Sequence, residues 1–488
     1  MIIGFICDPH MPPGRESAQW YYCHRAAGQF RRDGIRTVIS LGDITSFGEP
    51  EALEEYLSIF TGFDHAWVLG NSDVRDPETV PALTGNAKSF LLELDGRKLL
   101  GIHTPFSRID PEDRPLLEAL EDGDLLVLHH PPSRLADPES RAFLEDLCAR
   151  KQLTVIYGHL HRNLSGPLGR SQSYGIRAID PDKAFGDWPC ITYFDTADNR
   201  VTVVPLPLAP EAVTEPAARF GISCVDNHRD VAYATERGLY AIELRCNGKG
   251  WEPDMTLLPK LEAWRKAGGK YLSIHMPNLH WIDGELVGAE QWRQAVAYAN
   301  AVGADGMTLH PPRMWLRDLE AAREPMLAQY VYAVENVPES VKIGIENLHM
   351  TAADSQSDRH FGYTPQEVSW WIDLVAGALS RKRPIGHTLD VGHARNNGFL
   401  ASRYPISRWY ELMGSRVTAF HIHQVVQVEG GFKNHRPIEC WFGPQINYTS
   451  FFYHMQKGTF GTVPVFLEVK GSENTEKSLA ALEELLSR

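Results

Sequence analysis

What this chain lacks narrows its class first. Its seven cysteines, at positions 7, 23, 148, 190, 224, 246 and 440, form no CxxC pair. An odd, dispersed set of that kind reads as reduced thiols and excludes a disulfide framework. Long apolar runs are missing too: no stretch of about 18 apolar residues occurs, so neither a membrane-spanning helix nor a membrane partner is expected. The N-terminus enters an apolar strand pattern without a basic region and cleavage site, which leads to the expectation of a cytoplasmic protein. Positive charge is in deficit, with a formal net charge of -14, and that disfavours a protein that coats nucleic-acid backbone. Internal repeats and low-complexity tracts are absent. What remains is 488 residues, 43% hydrophobic and 23% charged, enough for two or three globular domains with sizeable cores.

The first two hundred residues carry an ordered series of polar motifs: Asp8-Pro9-His10, Gly42-Asp43, Gly70-Asn71, His129-His130-Pro131 and Gly158-His159-Leu160-His161. Each follows an apolar run that reads as a buried strand, over 2–6, 37–41, 66–69, 125–128 and 154–157. The polar residues therefore fall at the carboxyl ends of strands, the edge of an α/β sheet where ligands bind. Carboxylate, imidazole and amide oxygen are donors that Mn, Fe and Zn accept.

This series resembles the calcineurin-like metallophosphoesterases, whose pattern is DxH, GD, GN(H), H and GHxH in the same order. The resemblance implies a four-layer αββα sandwich and a dinuclear centre of divalent metals (Mn, Fe or Zn). Asp8, His10 and His161 would hold one ion, Asn71, His129 and His159 the other, with Asp43 between them. It implies hydrolysis of phosphoric diesters, because two metals about 3.5–4 Å apart can activate a water and clamp phosphate oxygens. Where the family often has His after the Asn, this chain has Ser72, followed by Asp73. Both are counted with Asp43 among the catalytic candidates. Serine is a poor acid at neutral pH, and a positioned general acid is worth about 10²–10⁴ in rate, so Ser72 points to good leaving groups.

A boundary lies near Pro205-Leu206-Pro207-Leu208-Ala209-Pro210, where proline density prevents regular pairing. The expected division is a first domain over 1–208, a Pro-rich linker over 209–217 and a second domain over 218–488. In the second, apolar runs alternate with helical stretches, beginning at 221–225, 241–245, 271–275, 306–310, 342–346, 384–390, 418–423 and 463–469. Eight strands separated by helices is the count of a (β/α)8 barrel. Six strand ends supply His275, His310, Glu346, Asp390, His421 and Glu468, and carboxylates are rarely buried without partners.

This half resembles the xylose isomerase-like TIM barrels, which include sugar-phosphate isomerases and epimerases and the zinc-dependent endonuclease IV type. The superfamily's metal core maps onto Glu346, Asp390, His421 and Glu468. The endonuclease branch adds ligands that match His275, His310, His393 and His435, but its Asp position holds Lys433. One to three divalent metals, Zn or Mn, are expected in the barrel, with Glu346 and Glu468 as catalytic candidates. The fold class is thus α/β, a metallophosphoesterase sandwich fused to a TIM barrel. The function expected is a bifunctional metal-dependent hydrolase, cleaving a small, cyclic or sugar-linked phosphodiester in the first domain, with the barrel acting on a related sugar or phosphoester. The alternatives are a sugar or sugar-phosphate isomerase or epimerase with an accessory phosphoesterase domain, a nuclease, and a sensor or scaffold.

Overall fold

In a computed structural model the chain is described over residues 1–81, 89–246, 251–429 and 431–487. It divides into two compact units, Met1–Leu208 with Phe442–Ser450, and Ala209–Trp441 with Phe451–Arg488.

The first unit is built on two mixed sheets. One joins Arg200–Pro205, Cys190–Asp195, Ile2–Ile6, Thr37–Ser40 and Asp64–Trp67 in that order. The other runs Phe90–Leu94, Arg97–Gly101, Leu125–Leu128, Thr154–Tyr157, Ser171–Gly175 and Leu164–Leu168. Alternation along these strands turns Ile3, Phe5 and Ile39 of one sheet against Leu99, Leu125, Val127 and Ile156 of the other, so the two sheets share a core. The outer face of the second sheet presents Leu126, Leu128 and Val155 to Leu144 and Leu147 of the helix Pro138–Arg150. The helix Ala18–Arg32, capped by Ser17, buries Ala26 and Phe30, and Phe30 reaches the place where a side chain on Gly4 of the first sheet would sit. These are the four layers of an αββα sandwich.

The third strand ends at Trp67, two residues before the apolar run does. Val68 still donates to Ser40, but the N–H of Leu69 is taken by His103 Nδ1 at 2.9 Å, which closes the ladder there. That bond makes His103 a support for the Gly70-Asn71 loop.

The second unit is a closed barrel of Phe220–Ser223, Ala241–Arg245, Tyr271–His275, Gly306–Leu309, Lys342–Glu346, Gly386–Asp390, Val417–Ile422 and Val465–Leu467. All adjacent pairs are parallel. The sixth and eighth strands are shorter than the apolar runs because Pro384 and Pro464 lack the N–H a ladder needs.

Two segments differ from the sequence reading. Residues 209–217 are not an irregular linker: Glu211–Ala217 form a helix that buries Ala212 and Val213. Pro210 sits before the first turn, where its fixed φ suits a helix, and Pro216 lies in the last turn. Residues 442–450 lie within the expected second domain but pack with the first unit. There the Asn447 N–H donates to the Asp182 carbonyl at 3.0 Å, and the Ser450 hydroxyl donates to the Asp182 carboxylate.

Candidate metal centres

The motifs of the first unit all lie at the carboxyl ends of its two sheets, and the loops bring their donors together. Asp43 stands in the middle. Its Oδ2 is 3.2 Å from His10 Nε2, and its Oδ1 is 3.4 Å from His129 Nε2. On one side His10, Asp43 and His161 offer atoms within one ligand sphere, with Asp8 Oδ2 3.9 Å from His161 Nε2. On the other, Asn71 Oδ1 is 3.2 Å from His129 Nε2, and His129, His130 and His159 cluster. All seven residues of the expected dinuclear set therefore converge, with His130 beside them.

The backbone is held in an uncommon conformation to do this. Asp8, His10, Asp43, His159 and His161 have φ of 46, 43, 48, 68 and 55°, the left-handed region that non-glycine residues seldom occupy. Such local strain persists where surrounding structure enforces it and concentrates at functional sites. The glycines of the motifs answer to crowding: a Cβ on Gly70 would lie 2.3 Å from Asp43 Oδ1, and one on Gly42 2.8 Å from His129 Nδ1.

Second contacts orient the rings. His129 Nδ1 lies 2.8 Å from the Leu41 carbonyl, which turns Nε2 toward Asn71 and Asp43. His10 Nδ1 faces the Asp8 carbonyl at 3.0 Å and Asp180 Oδ2 at 3.2 Å. Asp180 is fully buried and was not singled out from sequence. Burial favours its protonated form, but His10 and Lys183 outweigh that and lower its pKa. Carboxylates behind ligating histidines are typically worth about 10- to 100-fold in metal affinity or activity. Asp180→Asn should weaken metal retention in the first unit by that factor, read by titrating metal back into chelated protein; retention equal to the parent would remove this role.

Ser72 and Asp73 stand apart from the donor cluster by their bonding. The Ser72 hydroxyl donates to the Thr45 carbonyl at 2.7 Å, while its N–H donates to Asp43 Oδ1 at 2.7 Å. Asp73 accepts from the Thr45 and Gly70 N–H groups at 2.7 and 2.9 Å. Both tie the loops together, and burial with the neighbouring Asp43 raises Asp73 to about 6.

The protonation states of His159, His130 and Asp43 suit cation binding, whereas burial raises Asp8, and Asp180 and Asp43 raise His10 against the effect of its burial. Burial lowers His159 to about 4 and His130 to about 3, with neighbouring imidazoles adding to the effect. Burial alone would raise Asp43, but His129 and His10 hold it well below the carboxylate range. Neutral imidazoles and ionised carboxylates are what a metal requires.

In the barrel Glu346 is the centre. Its Oε2 is 3.3 Å from His275 Nε2 and 3.2 Å from His310 Nε2. Its Oε1 is 3.3 Å from His393 Nδ1 and 3.4 Å from His421 Nδ1. Glu468 Oε2 lies 3.3 Å from His421 Nδ1 and 3.6 Å from His435 Nδ1, and Asp390 Oδ2 lies 3.5 Å from His393 Nδ1. All eight predicted residues are thus brought together. Although both oxygens of Glu346 and both ring nitrogens of His421 are buried, none has the alignment of a hydrogen bond. Donors that crowd without pairing, drawn from imidazole and carboxylate, fit divalent cations. Burial lowers His421, but Glu243, Glu346 and Glu468 raise it well above the ordinary value, so this cluster calls for positive charge.

Two residues were missed or misread in the sequence. Glu243, on the second barrel strand, is fully buried; it accepts from Thr308 and Ser273 at 2.7 and 3.1 Å and stands 2.8 Å from His421 Nε2. A carboxylate inside the apolar run Ala241–Arg245 was the signal. His423, outside the ligand set expected from sequence, groups with His393 and His435, and its Nε2 lies 3.3 Å from Asp390 Oδ1. Lys433 is exposed, and the carboxylates that face this trio are Asp390, Glu346 and Glu468.

A family model described as xylose isomerase-like TIM barrel matches residues 231–485, and one described as calcineurin-like phosphoesterase superfamily domain matches residues 1–181. Among solved structures, a D-tagatose 3-epimerase-like protein is similar at 18% identity, covering 55% of this chain and 97% of its own, with a TM-score of 0.42. An archaeal phosphodiesterase is similar at 16% identity over 42% of this chain and 100% of its own, TM-score 0.26. A dimetal phosphatase from Danio rerio is similar at 11% identity over 42% and 95%, TM-score 0.33. No curated protein sequence matches the chain. Among the described residues no helix is long and apolar enough to cross a membrane.

Proposed function

Because the chain belongs to the xylose isomerase-like TIM-barrel family and carries a calcineurin-like phosphoesterase domain, we propose that it is a bifunctional metal-dependent enzyme. Its first unit hydrolyses small phosphodiesters, cyclic or sugar-linked, and its barrel is a second metal enzyme for a related sugar or phosphoester. The observation that carries this reading is the convergence of six donor residues around Asp43. Two divalent ions (Mn, Fe or Zn), one on Asp8, His10 and His161 and one on Asn71, His129 and His159 with Asp43 shared, would supply an activated water and charge to offset the phosphate. The chain's own part is to aim these donors: Leu41 and Asp180 fix the rings of His129 and His10, and left-handed turns at Asp8, His10 and Asp43 point their side chains inward. With the Ser72 hydroxyl committed to Thr45, the site suits diesters whose leaving group departs without a proton from that position.

In the barrel, Zn or Mn would be held by His275, His310, Glu346, Asp390, His421 and Glu468, with His393, His423 and His435 as a further set. The approach of Glu346 and Glu468 to one nitrogen of His421 favours joint ligation over carboxylates that flank a substrate. An isomerase or epimerase reading keeps support from the same two glutamates, which project into one cluster. The net charge of -14 disfavours a nuclease.

The test is metal content beside Mn- or Zn-supported hydrolysis of bis(p-nitrophenyl) phosphate by the full chain. Turnover that a chelator abolishes and metal restores is expected; metal-loaded protein without turnover of this or any cyclic diester would sink the reading.

A further inference from the structure

A cavity of about 570 Å³ lies within the second unit, in the loops that follow the third, fourth and fifth barrel strands. That is an ordinary size for a small-molecule site. Its wall includes Asn278, Trp281, Arg313, Trp315, His360 and Tyr363. It adjoins the Glu346 cluster through Asn278, whose side-chain oxygen is paired with His310 Nδ1, while His310 Nε2 faces Glu346.

Arg313 is the singular feature of this wall. Its backbone is fixed on both sides, with the N–H on the Leu279 carbonyl at 3.0 Å and the carbonyl on the Trp281 N–H at 3.0 Å. Its Nε is buried and has no hydrogen-bond partner, and among the described residues its guanidinium makes no ion pair. A guanidinium keeps its charge at any physiological pH; Arg313 is half-buried, and the carboxylates that support its charge, Glu346 and Asp354, do so from beyond ion-pair distance. Loops that hold such a group at a cavity wall suit a ligand that brings the anion, and the planar fork suits a phosphate. Several other polar groups nearby are already engaged. Arg317 is exposed, stacks on Trp315 at 4.5 Å and pairs with Asp358. Asp354 accepts from His360 and Tyr363, each at 2.8 Å, and His360 stacks on Trp315 at 4.0 Å. Of the remaining carboxylates of the lining, Asp283 is exposed and Asp318 is half-buried, as Arg313 is. Trp281 offers a flat apolar face on which the C–H edges of a sugar pack.

We infer that this cavity is the substrate pocket of the barrel, and that Arg313 receives the phosphate of a phosphorylated polyol whose carbon chain lies against Trp281. The inference rests on the reading of the barrel as a metal enzyme of sugar or phosphoester chemistry.

The experiment is calorimetric titration of the full, metal-loaded chain carrying Asp43→Asn, so that the first unit leaves the probe intact. Glucose 6-phosphate, glucuronate and glucose are the probes. Saturable binding of glucose 6-phosphate is expected, with glucose at least about tenfold weaker. Arg313→Gln should weaken the phosphate probe about 10- to 100-fold and leave glucose unchanged, the range for losing a charge-assisted bidentate contact. Arg313→Lys, which keeps charge and bulk, should recover part of the loss and carries the test if the glutamine variant fails to fold. Arg317→Gln should change binding by less than about twofold, as expected of an exposed pair. Phosphate binding indifferent to Arg313, equal affinity for glucose, or no saturable binding of any probe would overturn the inference. Glucuronate bound as tightly with the same dependence on Arg313 would replace phosphate by carboxylate and overturn the assignment as stated. Diester hydrolysis by the parent chain, measured in parallel, separates failure of this pocket from failure of the phosphodiesterase reading.

Discussion

Asp43→Asn should reduce metal-supported hydrolysis of an aryl phosphodiester by about 10³-fold or more. The two oxygens of Asp43 face different halves of the donor cluster, His10 at 3.2 Å and His129 at 3.4 Å, closer than those of Asp8 approach His129 at 3.5 Å and His161 at 3.9 Å. Asparagine has the same shape, so the loop and the Ser72 N–H bond at 2.7 Å have a route to survive. It replaces one acceptor oxygen by an NH₂ donor, which can only point at a ring nitrogen that needs its lone pair for a cation. The residue also loses the negative charge that offsets two divalent ions. Charge stabilisation at such centres is worth several kcal/mol, and each ~1.4 kcal/mol is tenfold in rate. Metal per chain, by mass spectrometry, should fall with the rate while the far-ultraviolet spectrum stays that of the parent. A variant within about fivefold of the parent rate, or one that keeps all its metal, would show that the two halves of the cluster do not depend on a shared carboxylate.

Most of this site could be read in the sequence because its ligands lie at strand ends, and strand ends follow from runs of apolar residues. Asp8, Asp43, His129 and His159 each come within a few residues of a buried strand, so order along the chain carries over into position on a sheet edge. The same logic located Glu346, Asp390, His421 and Glu468. What could not be read depends on contacts between distant segments. Asp180 follows no strand directly, and its role appears only when the loop folds over His10. Glu243 sits inside a strand that otherwise looks like ordinary core, and its partners Ser273, Thr308 and His421 come from three other strands. His423 follows His421 at a spacing of two, which on a strand points it to the same side, yet the partners that make it a candidate ligand come from separate elements, His393 from the helix Val391–Arg395 and His435 from the strand Gly431–Arg436. Residues 442–450 have no local signature of the company they keep, since their partners around Asp182 are more than 250 residues away.

Glu346→Gln should empty the barrel of metal and destabilise it, while diester hydrolysis by the first unit stays within about twofold of the parent. The carboxylate is fully buried and lies 3.2–3.4 Å from four imidazoles. Burial alone would raise its pKa, but His421 and His310 hold it well below the ordinary range, so the ionised form is the one built in. Burial lowers His393 too, yet Asp390 and Glu346 raise it to about 9, so it is protonated at neutral pH when no cation is near. Substituting an amide leaves that positive charge with one partner fewer, and breaking a buried pair from one side costs about 3–5 kcal/mol. Calorimetry should therefore show a lower unfolding midpoint for the transition that responds to barrel metal, with the other transition unmoved, because the first unit has its own core and its own donor set. The contrast with Asp43→Asn is what gives the pair its force. If each variant loses its own metal and keeps the activity of the other unit, the chain holds two independent centres. Loss of diester hydrolysis in Glu346→Gln would instead place a group of the barrel in the phosphodiesterase reaction, and an unchanged midpoint and metal content would remove Glu346 from the ligand set.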